Sequence, residues 1–143
     1  MRTLLSLCVA VVVVSACGDR ARGGEAERAV ETPATTAIAV TEIDLGRSIK
    51  ADRTIDDATS SFESRDRIYV SVGTKGDGQG TLRARWVLGE NEEIANEEQA
   101  VSATGPTHTE FHLSRPNGLA RGEYRVEITL NGVSQGHEKF TVN

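Results

Sequence analysis

Gly122-Glu123-Tyr124-Arg125-Val126-Glu127-Ile128-Thr129-Leu130-Asn131-Gly132-Val133 decides the fold. Tyr124, Val126, Ile128 and Leu130 alternate with Glu123, Arg125, Glu127 and Thr129. A period of two puts the first set on one face of a strand and the charges on the other. Asn131 and Gly132 then tolerate the positive φ of a type I′ turn, so the chain reverses and pairs with a final strand ending in Phe140 and Val142.

The same alternation spreads outward. Residues 67 to 74 place Ile68, Val70 and Val72 against Tyr69 and Ser71, and residues 81 to 88 place Leu82, Ala84, Trp86 and Leu88 against Arg83, Arg85 and Val87. Residues 107 to 113 turn Thr109, Phe111 and Leu113 inward. Weaker strands are expected at 38 to 45 and 94 to 101. No window holds a sustained helical stripe. About seven short strands with regular turn signals make an all-β protein, an antiparallel β-sandwich over residues 38 to 143. If the strands at 81 and 123 are neighbours, Arg83 and Arg85 lie beside Glu123 and Glu127 as cross-strand pairs.

Three places resemble immunoglobulin-like domains. Trp86 stands on a middle strand, Gly122-Glu123-Tyr124-Arg125-Val126 resembles the Gly-x-Tyr-x-Cys corner, and a tight hairpin leads to the last strand. The resemblance implies that Val70 and Val126 occupy the positions of the paired cysteines of antibody domains. The run from Phe62-Glu63-Ser64-Arg65-Asp66-Arg67-Ile68-Tyr69 through Ala84-Arg85-Trp86 to Gly122-Glu123-Tyr124-Arg125-Val126 is similar to a C-terminal domain of uncharacterised bacterial lipoproteins. That similarity implies a fold and carries over no catalytic residue.

The 143 residues carry 16 Lys and Arg against 21 Asp and Glu, a net charge of -5, which argues against a phosphate-binding surface and so against nucleic acid. A hydrophobic content of 38% is enough for a folded core. At the N-terminus, Arg2 precedes an apolar run from Leu4 to Val14. Such a run covers about 16 Å, half a bilayer core, and reads as a signal peptide rather than a span. Val14-Ser15-Ala16-Cys17 resembles the lipobox of bacterial lipoproteins, which implies removal of residues 1 to 16 and a diacylglycerol anchor on Cys17. Cys8 leaves with the signal peptide, so the folded domain has no disulfide and no thiolate metal site. Residues 17 to 37 are the lipidated cysteine and a flexible tether of mixed charge.

Four stretches invite a chemical reading. Gly132-Val133-Ser134-Gln135-Gly136 has the letters of a nucleophile elbow, but that motif needs a following helix and a downstream acid and His, so it reads as a chance match. His108, Glu110 and His112 share one strand face at spacings of about 6.8 Å, an exposed polar face with a weak zinc site as its alternative. Gly73-Thr74-Lys75-Gly76-Asp77-Gly78-Gln79-Gly80 lacks the P-loop ending and reads as a mobile loop. Glu90, Glu92, Glu93, Glu97 and Glu98 lack the spacing of a calcium loop and read as a solvated edge.

The expectation is therefore an anchored protein of the bacterial cell envelope, facing the periplasm or exterior. It has no cofactor and no catalytic residue, and its sandwich binds another envelope protein through a sheet edge or through the loops at 73 to 80 and 105 to 122. A protease inhibitor presenting Ser114-Arg115-Pro116-Asn117 is the second reading, and a serine or metal-dependent hydrolase the third.

Overall fold

The computed structural model describes residues 37–143, so the signal peptide, Cys17 and the tether as far as residue 36 lie outside the described residues. Eight strands follow: β1 (Ala39–Gly46), β2 (Ser61–Phe62), β3 (Ile68–Lys75), β4 (Asp77–Leu88), β5 (Glu92–Thr104), β6 (Thr107–Leu113), β7 (Gly122–Leu130) and β8 (Val133–Val142). They form a three-stranded sheet, β1-β3-β6, and a five-stranded sheet, β2-β8-β7-β4-β5. Neighbours pair antiparallel except β2 with β8, where Ser61 and Phe62 run parallel to Thr141 and Val142. The expected hairpin is present, with Asn131 at φ 51° and Gly132 at φ 80° between β7 and β8.

The inward residues of β3, β4, β6 and β7 are those the alternation selects. Ile68, Val70, Val72, Leu82, Ala84, Trp86, Phe111, Val126 and Ile128 are fully buried. Each large apolar side chain among them contributes about 1.5 to 3 kcal/mol of transfer free energy. Aromatic rings fill the centre. Phe140 stacks on Tyr124 at 5.2 Å and meets Trp86 and Phe62 edge-on at 5.9 and 5.5 Å. The Trp86 indole Nε1 is buried with no hydrogen-bond partner among the described residues. Tyr124 lies in the core but its hydroxyl donates to the Ala120 carbonyl at 2.7 Å, across the corner that precedes β7. Burial holds its phenol above the ordinary tyrosine range.

One expectation is corrected here. The glycine-rich segment 73 to 80 is no loop: Gly73 belongs to β3, and Gly78 and Gly80 belong to β4. Only Gly76, at φ 122°, stands between the strands, where the chain leaves one sheet for the other. A Cβ on Gly76 would stand 2.6 Å from the Ala37 carbonyl oxygen, so glycine here serves close approach rather than mobility. The return crossing, from β5 to β6, sits beside it, with the Gly105 N–H donating to the Gly76 carbonyl at 2.8 Å.

Residues 47–60 make an excursion between β1 and β2. Asp52 accepts the Thr54 N–H at 3.0 Å and its hydroxyl at 2.7 Å, and these bonds hold its carboxyl below the ordinary range. The Arg53 carbonyl takes the Ser71 hydroxyl at 2.6 Å, which is how an outward serine of β3 becomes buried. Gly46 lets the excursion return, since a Cβ there would stand 2.4 Å from the Asp57 carbonyl oxygen. The architecture is an immunoglobulin-like β-sandwich. Its tyrosine corner, central tryptophan and two-sheet strand order all agree with that description.

Candidate functional site

Backbone hydrogen-bonding capacity is most available along β5. It ends the five-stranded sheet, is the longest strand among the described residues, and pairs only with β4. The remaining edges are shorter or interrupted. β1 carries a bulge between Val40 and Glu42, β2 has two residues, and β6 has its Glu110 carbonyl occupied by the Gln99 side chain at 2.7 Å. On β5 the ladder to β4 is regular from Ala95 to Thr104. It is irregular at Ile94, whose carbonyl accepts a hydrogen bond from the Arg115 guanidinium.

The outer face beside this edge has two characters. Toward the β4–β5 turn it is ionic. Arg85 bridges Glu93 at 2.7 Å and Glu127 at 2.9 Å, and Arg125 reaches Glu127 at 2.7 Å and the carbonyls of Gly89 and Glu90 at 3.1 and 2.6 Å. Hydrogen bonds from Arg125 and then Arg85 hold the Glu127 carboxyl below its ordinary value, Arg85 does the same for Glu93, and both carboxylates raise Arg85. Toward the other end the ion pairs give way to neutral side chains, with Asp77 opposite Thr104 at the limit of the ladder. A shallow groove of about 470 Å³ is lined by Gln79, Gly80, Thr81, Ala100, Val101 and Ser102.

The expected Arg85–Glu127 pair is present, but Arg83 and Glu123 do not meet. The register sets Arg83 opposite Thr129 on one side and Glu98 on the other, and Arg83 bonds to Glu98 at 2.6 Å. Glu123 lies at the far end of β7, where its carbonyl accepts the Gly89 N–H at 2.8 Å. Val87 was expected outward and does face outward, yet it is fully buried. Arg125 and Glu93 flank it in the register, and the ionic layer above it excludes water.

The other sequence candidates are dispersed. His108, Glu110 and His112 share the outer face of β6, opposite Gly73, Ser71 and Tyr69. His108 Nε2 lies 2.7 Å from Glu42 Oε1, reached across Gly73, where a Cβ would stand 2.6 Å from Glu42 Cγ. His112 packs on the Tyr69 ring at 6.1 Å. Among the described residues no three His, Cys, Asp or Glu groups are arranged to hold a metal ion. Ser134 is exposed at the start of β8, on the other sheet from His108, and a strand rather than a helix follows it. Of the proposed inhibitor loop, Arg115, Pro116 and Asn117 form a tight turn closed by the Gly118 N–H on the Arg115 carbonyl at 2.9 Å. Among the described residues, Val133 is the one exposed large hydrophobic side chain, so no apolar patch competes with the β5 edge as a binding feature.

No protein-family model matches the chain, and no curated protein matches it. Solved structures do. The Pseudomonas fluorescens alkylpurine DNA glycosylase AlkC, bound to DNA containing an abasic site analog, aligns with a TM-score of 0.52 and 10% identity over 76% of this chain and 31% of that one. A Paenibacillus sp. cycloisomaltooligosaccharide glucanotransferase complexed with cycloisomaltoheptaose aligns with a TM-score of 0.50 and 13% identity over 73% of this chain and 14% of that one. An immunoglobulin-like protein from Pseudomonas aeruginosa aligns at 0.48 with 14% identity, over 77% of this chain and 99% of that one. The chain thus spans less than a third of the first two proteins. At these identities the likeness is one of fold, shared with domains of larger proteins whose activities differ.

Proposed function

We propose that this protein is a lipid-anchored component of the bacterial cell envelope whose sandwich acts as a binding or assembly module for another envelope protein. The observation that carries the binding role is the edge of β5, a regular row of main-chain donors and acceptors with no second strand paired to it in the sheet, although the Gln99 side chain reaches across to β6. The anchor rests on the sequence alone, on Val14-Ser15-Ala16-Cys17 behind a short apolar run. Catalysis finds no support in the geometry, because Ser134 and the His108 face stand on separate sheets. Nor does inhibition, since the Arg115 guanidinium is tied to the Ile94 carbonyl rather than presented to a protease.

The test is chemical cross-linking of the full-length protein in intact cells, followed by affinity purification and mass spectrometry, with Cys17→Ser as the unanchored control. An envelope protein recovered reproducibly with the wild type and lost with the control is the expected result. Equal recovery from both would separate binding from anchoring, and recovery of nothing would remove the binding role.

A further inference from the structure

The charges on β5 narrow what its edge can accept, and this step rests on the binding role proposed above. We infer that the edge takes an extended segment bearing two adjacent Lys or Arg residues, added as a further strand of the five-stranded sheet along Ala95–Thr104. The limits come from the two ends of that stretch. At one end the Arg115 guanidinium already occupies the Ile94 carbonyl, so pairing stops at Ala95. At the other, β5 ends at Thr104 and Gly105, at φ 129°, begins the crossing to β6.

Between these limits the sequence is Ala95-Asn96-Glu97-Glu98-Gln99-Ala100-Val101-Ser102-Ala103-Thr104. Glu97 and Glu98 are adjacent, so their side chains leave opposite faces of the strand. Glu98 is shared with Arg83 on the outer face, whereas Glu97 has no cation within salt-bridge distance among the described residues. The six residues from Gln99 onward carry no charge and leave small side chains, Ala100 and Ser102, on the wall of the groove. An incoming strand therefore meets two carboxylates among the first four residues and a neutral remainder.

The glutamates alone would only make a solvated edge. The unpaired main chain supplies the attraction, and the charges supply the selection. A second copy of this chain carries the same glutamates on the same edge and a net charge of -5, so self-pairing is opposed. A strand with cations at two adjacent positions reverses that sign on both faces. The same residues thus guard against self-association and admit a basic partner.

The probe is a pair of fluorescein-labelled peptides of alternating Thr and Val, matched in length to Ala95–Thr104 and carrying two adjacent lysines or two adjacent glutamates. Their binding to the full-length protein in detergent micelles is followed by fluorescence anisotropy. The lysine peptide is expected to bind about fivefold or more tightly than the glutamate peptide, the swing of exchanging attraction for repulsion at exposed pairs. Glu97→Lys should shrink or reverse that preference. Methylating alternate backbone nitrogens of the lysine peptide keeps its charge and removes ladder donors, so it should abolish binding. Unchanged binding of the methylated peptide would show plain electrostatic adhesion and overturn strand addition. Equal binding of the lysine and glutamate peptides would overturn the charge selection while leaving the edge as a binding site. If neither peptide binds, the edge itself fails as the site of the binding role. Sedimentation equilibrium is expected to show a monomer, and a dimer that the lysine peptide does not dissociate would assign the edge to self-pairing instead.

Discussion

The two faces of the five-stranded sheet are made from the same strands and held together by different physics. On the inner face Trp86, Tyr124, Phe140, Val126 and Ile128 are buried against the opposing sheet, and the contribution of each follows from area removed from water. On the outer face Arg83, Arg85, Arg125, Glu93, Glu98 and Glu127 meet in pairs that remain open to solvent. Exposed pairs of this kind are worth little individually. Val87 crosses the division, an apolar residue on the charged face that is as fully buried as Trp86. Side-chain alternation therefore assigns direction reliably, whereas burial depends on what the neighbouring strands place above a residue.

The sharpest way to break this comparison is to remove a side chain from each face and measure unfolding in urea. Trp86→Ala should cost about 4 kcal/mol, since it empties the centre of the aromatic cluster. Val87→Ala should cost about 2 kcal/mol, core-like although the residue faces outward, and a cost near zero would show that the ionic layer does not exclude water. Tyr124→Phe keeps the ring on Phe140 and deletes only the bond to Ala120, so about 1 kcal/mol is expected. Arg85→Ala should give the smallest change of the set, and added salt should reduce it further. A loss matching that of Trp86→Ala would overturn the contrast.

Acid titration sharpens the same contrast from the other side. Glu93 and Glu127 titrate below the ordinary glutamate range because Arg85 and Arg125 stabilise their charged forms. The folded state therefore binds protons less readily than the unfolded chain. That contribution is complete above the unfolded value of about 4.3 and is lost as pH falls through the folded values. Glu127→Gln should flatten the acid limb of stability against pH without changing its neutral plateau by as much as Trp86→Ala does. An acid limb identical to that of the wild type would remove Glu127 as a cause.

Much of this fold was legible because β6 and β7 are half-buried strands whose alternation is uninterrupted, because β3 keeps the same alternation in its sequence although both its faces are largely covered, and because Asn131-Gly132 permits one tight turn. The tyrosine corner was legible from Gly122-Glu123-Tyr124. What sequence reading missed has specific causes. Glycines at 73, 76 and 80 suggest a loop when counted by composition, but they occur where side chains or, at Gly76, another backbone approach closely. β5 runs from Glu92 to Thr104 rather than from 94 to 101, because the acidic residues at its start and the small Ala103 near its end give a weak apolar signal. Arg83 was given the wrong partner because alternation fixes a side chain's face and leaves the strand register open. The acidic stretch from Glu90 to Glu98 is legible as an edge, and β5 does end its sheet, but its neighbour is not legible, since strand order depends on crossings such as those at Gly76 and Gly105. The Glu42–His108 contact joins residues far apart in sequence, and only the absence of a side chain at Gly73 hinted that something passes over it.

The parallel pairing of Ser61 and Phe62 with Thr141 and Val142 has a kinetic consequence. It joins the first third of the domain to its final strand, and Phe62 is fully buried against Phe140. Few local contacts can substitute for closing so long a segment, and topologies dominated by distant pairings fold in milliseconds to seconds rather than microseconds. A chain emerging from the ribosome thus cannot complete its core until β8 has been made. Until then Phe62 has no ring to pack against, and the strands already made cannot commit to the native shape.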